Sequence, residues 1–224
     1  MATTVGVVVF PGSNCEYDAA TAIGALGGDV RYVWHHETSV ADLDVVVLPG
    51  GFAHGDYLRP GAIARFSTVM GAVSSFAASG GAVLGICNGF QVLCEAGLLP
   101  GALQKNVGLT FLCQPTELEV ASTSSVLTRA ATVGQRLTIP INHFQGAYVC
   151  DEATRRALRD EDRVVLRYTD NPNGSIDDIA GVANERGNVV GLMPHPERAS
   201  DLLLGSADGQ ILLSSFLSAT ALRR

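Results

Sequence analysis

Two short stretches carry side chains whose type and spacing could do chemistry. In LGICNGFQ, residues 84–91, a single thiol, Cys87, stands between Gly85 and Gly89, after an apolar run and before a helix-like segment. A sharp strand-to-helix turn lifts a nucleophile clear of the backbone, as G-x-S-x-G does for serine, and glycines remove side chains that would clash. The dipole and free N–H groups of the following helix favour a thiolate and can bind an oxyanion. A free cysteine is also commonly a small buried hydrophobe, so G-x-C-x-G alone leaves both readings open. In MPHPE, Pro194 and Pro196 stiffen the chain on both sides of His195. Residues two apart in an extended chain share a face, so Glu197 can approach the imidazole. Thiol, base and orienting carboxylate together make a Cys–His–Glu set suited to nucleophilic acyl chemistry. A rigid turn with a surface histidine is the competing reading of PHPE.

The other candidates have weaker settings. Cys15 also follows a strand and opens a helix, but it lacks the close glycine bracket. Cys94 falls within a helix, and Cys113 and Cys150 have no local signature. His143, in NHFQG after an apolar strand, could line a pocket, while His54 has no such context. The adjacent His35 and His36 have no third ligand at a recognisable spacing, so no metal site is expected. A glycine-rich segment, LPGGFAHGDYLRPGAIA, could turn backbone N–H groups towards the thiol and form an oxyanion hole with the N–H of Asn88. A nucleotide cradle is poorly supported, because neither G-x-x-x-x-G-K-[ST] nor an early G-x-G-x-x-G occurs.

Regular elements must hold these groups in place. The first half alternates apolar runs (Val5–Phe10, Val30–Trp34, Val45–Leu48, AVLGI) with helical segments. EYDAATAIGALGG is one such helix, with Ser13 and Glu16 at the spacing of a capping box. GAIARFSTVMGAVSSFAASGG reads as a helix of about five turns, and GFQVLCEAGLLPG as another. This β-then-α alternation predicts a parallel sheet covered by helices. In the second half, Glu117–Ala121, Leu137–Ile141, Ala147–Cys150, Arg163–Tyr168, Ile179–Asn184 and Val189–Met193 read as strands, with turns at NPNG and ERGN. That pattern suits antiparallel additions, before a closing helix over Asp208–Leu222 that turns Ile211, Leu212, Phe216 and Leu217 to the core.

The 224 residues, 47% hydrophobic and 17% charged, suffice for one sizeable core, and no linker or repeat divides them, so one domain over 1–224 is expected. A net charge of -7 argues against a nucleic-acid backbone as partner. The amino terminus has no signal-peptide pattern, and no window approaches the roughly 20 apolar residues of a membrane span. Five cysteines, odd in number and without a C-x-x-C pair, suggest reduced thiols.

G-I-C-N-G-F-Q with P-H-P-E downstream resembles the class I, triad-type glutamine amidotransferases. FPGSNCEYD, VLPGGFAHGDYLRPGAIARFS, LGICNGFQVLCEAGLLPGAL, NGSIDDIAGVANERGNVVGLMPHPERA and LLGSADG resemble more closely the glutaminase subunits of phosphoribosylformylglycinamidine synthases, which serve purine biosynthesis. These stretches cover well over half the chain. The resemblance implies an α/β, flavodoxin-like fold: a mainly parallel sheet flanked by helices, with antiparallel additions in the second half. It implies hydrolysis of L-glutamine by Cys87, His195 and Glu197, with the backbone N–H groups of Gly51, Phe52 and Asn88 as oxyanion hole and Gln91 and His143 at the substrate. The chain has no recognisable ATP site. The resemblance therefore implies a large synthetase subunit that uses ATP and Mg2+, a small accessory subunit, and a cytoplasmic setting, with no cofactor in this chain. The loops around His54, Tyr57 and Arg59 are the expected meeting surface. His54 stands where an aromatic is common, Pro60 where a cysteine is familiar, and NHFQG replaces an A-H-G-E-G-like loop. The alternatives are another cysteine hydrolase of similar fold, DJ-1/PfpI-like or γ-glutamyl hydrolase, and a non-catalytic scaffold. DJ-1-like proteins usually place histidine directly after the cysteine, where this chain has Asn88.

Overall fold

A computed structural model describes residues 2–219. Four apolar runs become the middle of a nine-stranded sheet because their side chains are buried on both faces: β1 (Thr4–Val9), β3 (Val45–Leu48), β4 (Ala82–Ile86) and β11 (Val189–Leu192). The strand β2 (Asp29–Trp34) is an edge strand and largely exposed. The order β2-β1-β3-β4-β11 is parallel throughout and has the flavodoxin-like 2-1-3-4-5 pattern, with β11 in the fifth place. The sheet continues antiparallel through β10 (Ile179–Ala183), β9 (Val164–Tyr168), β6 (Leu112–Val120) and β7 (Arg136–His143). A separate antiparallel pair joins β5 (Ala102–Lys105) to β8 (Gln145–Val149).

The helices are α1 (Glu16–Ala25), α2 (Thr68–Ala78), α3 (Asn88–Glu95), α4 (Glu152–Asp160) and α5 (Gly209–Leu217). In α5, Leu212 and Phe216 are fully buried, whereas Ile211 and Leu217 pack only partly against the core; the expected helical residues beyond 219 lie outside the described residues. No helix among the described residues is long and apolar enough to cross a membrane.

Two expectations are corrected, and two elements are added. The capping box does not form: the Ser13 hydroxyl accepts from the Phe10 N–H at 3.1 Å, and α1 starts from Cys15 without a side-chain cap. The five-turn helix is shorter, because Ser67 is extended (φ -61, ψ 143) and separates a 3-10 turn at Ala64–Phe66 from α2. The short strand β5 and the helix α4, which Asp151 caps through the Thr154 N–H, are elements absent from the sequence reading.

Two connections build the site. The carboxyl ends of β4 and β11 lie side by side, with Leu192 in register with Ile86, so the segments leading to Cys87 and His195 leave the sheet together. The antiparallel half curls back to meet them: the Pro140 carbonyl of β7 accepts from the His195 N–H at 2.8 Å.

Candidate active site

Cys87 has φ 49 and ψ -104, a left-handed conformation that a non-glycine residue adopts only when its surroundings impose it. Its N–H donates to the Leu192 carbonyl at 2.8 Å, and its carbonyl accepts from the Gln91 N–H at 3.2 Å. The flanking glycines have a packing role. A Cβ at Gly89 would lie 2.0 Å from the Leu48 carbonyl oxygen, and one at Gly85 would lie 2.7 Å from the Gly89 backbone. The bracket therefore lets α3 start in direct contact with β3 and β4, and the strained φ falls on the cysteine itself.

His195 and Glu197 are both buried, and Nδ1 of the ring lies 2.6 Å from Glu197 Oε1. Burial opposes a charge on the ring, but the Glu197 carboxylate and then Cys87 outweigh it and push its pKa up to about 10. Among the described residues, Nε2 meets no hydrogen-bond partner, and neither does Glu197 Oε2. The Cys87 Sγ–H is aimed at the Asn142 carbonyl at 3.7 Å. Cys87 and His195 line one cavity of about 280 Å3 with Gly51, Phe52, Gln91 and His143, so the structure brings together most of the residues singled out in the sequence. A cavity of this size is at the small end of ligand sites.

The remaining residues divide by what their atoms already do. Asn88 is the first residue of α3, so its N–H heads the unpaired first turn of that helix. Gly51 has φ 140 and packs so tightly on Ser13 and Asn14 that a Cβ would lie 2.8 Å from the Asn14 nitrogen. The Phe52 N–H is engaged in this structure, donating to the Gly12 carbonyl at 3.0 Å. Gln91 is buried and held at both ends, its Oε1 accepting from Asn88 Nδ2 (2.9 Å) and its Nε2 donating to the Gln145 carbonyl (2.6 Å).

His143 is fixed by Asn106. That amide donates to the carbonyls of Thr110 and His143, so its Oδ1 is the acceptor for His143 Nδ1 at 3.1 Å and for the Gly146 N–H. His143 Nε2 is left as an acceptor without a partner among the described residues. Burial, and after it the neighbouring His195, push its pKa down to about 4, so the ring is neutral. Cys15 lines the same cavity, but burial pushes its thiol up to about 12, and Arg198 Nη2 donates to its sulfur at 3.3 Å. Among the described residues, Cys15, His195 and Glu197 are the one trio with possible metal-ligand atoms within 4.8 Å of one another. Two of the three already share a hydrogen bond and the third keeps its proton, so Cys15 serves as a wall of the site beside the His–Glu pair.

Several contacts have no counterpart in the sequence reading. The Asn88 side chain ties the glycine-rich loop to the nucleophile turn, accepting from the Ala53 N–H at 3.0 Å and donating to Asp56 at 3.0 Å. Arg59, expected at a partner surface, forms an ion pair with Glu95 at the end of α3 (2.5 Å). Tyr57 and Leu58 beside it are exposed. Asn106 had no motif to mark it. Asn88 stood in the motif, but nothing in the sequence said what its side chain would bind.

The arrangement has clear counterparts among known proteins. Residues 2–209 match the model of the CobB/CobQ-like glutamine amidotransferase domain. The chain is 56% identical to the phosphoribosylformylglycinamidine synthase subunit PurQ of Rubrobacter xylanophilus, with 96% of this chain and 97% of the relative covered. It is 54% identical to the PurQ subunit of Parasynechococcus marenigrum, with 96% and 100% covered. The solved structure of PurLQS from Thermotoga maritima contains a chain that superposes with a TM-score of 0.90 at 43% identity, covering 97% of this chain and 99% of that one. The chain belongs to the CobB/CobQ-like glutamine amidotransferases and, within them, to the PurQ subunits of phosphoribosylformylglycinamidine synthase.

Proposed function

We propose that this chain, as one domain over residues 1–224, hydrolyses L-glutamine to glutamate and ammonia, and hands the ammonia to a synthetase subunit that makes formylglycinamidine ribonucleotide. The observation that carries this reading is the buried His195–Glu197 pair beside a cysteine held at φ 49 on a strand-to-helix turn.

The Cys87 thiolate attacks the carboxamide carbon while His195 carries the proton. Glu197 accepts from Nδ1, which fixes the tautomer and stabilises the imidazolium, the role of the carboxylate in a Ser–His–Asp triad. The tetrahedral oxyanion is met by the Asn88 N–H and by backbone N–H groups of the glycine-rich loop at Gly51 and Phe52. Phe52 contributes once its N–H leaves the Gly12 carbonyl. An oxyanion donor is worth about 3–4 kcal/mol of transition-state stabilisation, so a loop that withholds one gives a slow enzyme until its partner docks. The C–N bond then breaks, His195 protonates the leaving ammonia, and a thioester joins the glutamyl group to Cys87. Water adds to that thioester with His195 as base and releases glutamate. Gln91 and His143 line the part of the cavity that receives the rest of the substrate.

Ammonia is a nucleophile only while unprotonated, so it must reach its acceptor without crossing bulk water. The partners are a large synthetase subunit, which uses ATP and Mg2+, and a small accessory subunit, all in the cytoplasm. The test is glutamate release by the chain alone and with both partner subunits, ATP, Mg2+ and formylglycinamide ribonucleotide. Release stimulated by the partners and lost in Cys87→Ala, with ammonium still supporting product, is expected. A Cys87-dependent glutaminase indifferent to the partners would overturn the coupling.

A further inference from the structure

We propose that Asp56 is the substrate-positioning carboxylate of this site, receiving the α-ammonium group of glutamine and so selecting an amino-acid amide over a simple amide. The inference rests on the glutaminase reading above and assigns the other end of the same substrate. Once the carboxamide carbon lies at Cys87, two methylene groups separate it from a carbon that bears one positive and one negative group. The positive group needs an anion in the cavity wall. Among the described residues lining the cavity, Asp56 is the one carboxylate.

Its setting is that of an aimed group. Oδ1 accepts from Asn88 Nδ2 at 3.0 Å, and the same nitrogen donates to Gln91 Oε1 at 2.9 Å. Asn88 is the residue after the nucleophile, so this bond fixes the carboxylate within a side chain's reach of Cys87. Oδ2 has no hydrogen-bond partner among the described residues, in a half-buried position where an unmet anionic oxygen is costly. Burial raises the carboxyl to about 6, with the Asn88 hydrogen bond pulling the other way, so it is largely ionised at neutral pH.

The backbone supports the aim. His54, Asp56 and Leu58 have φ of 54, 51 and 69, three non-glycine residues in the left-handed region within five positions. Such conformations are held against a steric cost and cluster where a side chain must be presented. The cations lining the cavity already have partners. The His195 ring is paired with Glu197 and the Arg198 guanidinium with Asp18 and the Cys15 sulfur, while His143 is neutral.

The test compares wild type with Asp56→Asn in the reconstituted complex, using L-glutamine and its deamino analogue 4-carbamoylbutanoate. The asparagine retains an acceptor for Asn88 and removes the charge. Loss of a charge-assisted hydrogen bond predicts a KM for glutamine raised about 10- to 100-fold, with kcat within about threefold. On the analogue, kcat/KM is unchanged, so discrimination between the two substrates collapses. A residue that only shaped the loop would impair both substrates alike, and that result overturns the proposal, as does an unchanged KM for glutamine. Asp56→Ser provides the same comparison should the asparagine variant fail to assemble. Absence of Cys87-dependent glutamate release from wild type would instead remove the glutaminase reading, and the inference with it.

Discussion

Replacing Gly89 with alanine adds one methyl group at the point where the nucleophile turn meets the sheet. That Cβ would lie 2.0 Å from the Leu48 carbonyl oxygen, 2.6 Å from its carbon and 2.8 Å from the Leu48 Cβ. Carbon atoms pack at about 3.5–4.0 Å, so α3 must move away from β3 by roughly 1 Å or more at its first turn. Two of the three opposing atoms are backbone, so no side-chain rotation relieves the clash. Overpacking of this kind costs about 1–3 kcal/mol, occasionally more, and the upper end applies here. In a domain of this size, about 3 kcal/mol lowers the unfolding midpoint by about 6–12 °C. The shift also carries Cys87 and Asn88 away from His195, so activity should fall about 100-fold, as for misplacement by 1 Å. Gly24→Ala is the internal control. Gly24 lies inside α1 with nothing within 4 Å of an added Cβ, so that change should stabilise by about 0.5–1 kcal/mol and leave glutaminase activity intact. Thermal unfolding and glutamate release in the complex read both. A Gly89→Ala protein as stable and active as wild type would refute close backbone packing as the reason for the glycine bracket.

Other expectations concern the groups around the thiol. Glu197→Gln removes the carboxylate that stabilises the His195 imidazolium and should lower kcat about 10^2- to 10^4-fold, measured as partner-stimulated glutamate release. His143 is neutral in the fold, with its pKa lowered from 6.5 to about 4, so the unfolded chain binds a proton that the folded chain does not. Stability therefore falls as pH drops from about 6.5 through about 4, by up to about 3 kcal/mol from this group. His143→Gln should flatten that acid limb in denaturant titrations, and parallel limbs would contradict the assignment. Cys15→Ala should retain glutaminase activity, because its thiol is held protonated beside Arg198; loss of activity equal to that of Cys87→Ala would mean that Cys15 takes part in the chemistry.

What could be read beforehand follows from what is local. The runs of β3 and β4 have apolar side chains on both faces, and a continuous apolar run between glycines has few other uses. The thiol, base and carboxylate were legible because their neighbours, glycines and prolines, constrain the chain within a few residues. The helix α4 was not read, although Asp151 caps it and its residues are good helix formers with one polar face, because Leu158 is its one buried residue and it offers no broad apolar stripe to the core. The break at Ser67 falls at a residue type common at helix starts, and it is held by contacts from outside the segment: Ser67 Oγ meets His54 Nε2 at 3.3 Å and the Val69 N–H donates to the His35 carbonyl. The ties of Asn106 to His143, Asp56 to Asn88 and Phe52 to Gly12 join residues 37, 32 and 40 positions apart, and no local pattern encodes them. The Ser13–Glu16 spacing matched a cap but lost to a turn in which Ser13 serves Phe10.

The most direct measurement is covalent labelling of the reconstituted complex with a glutamine-like diazo ketone, followed by peptide mass spectrometry and activity assays on the same sample. The account predicts one label per chain, on Cys87, blocked by glutamine, with glutamine-dependent synthesis abolished and ammonium-dependent synthesis retained. A label on Cys15, or glutamine-dependent activity that survives full labelling of Cys87, would contradict it.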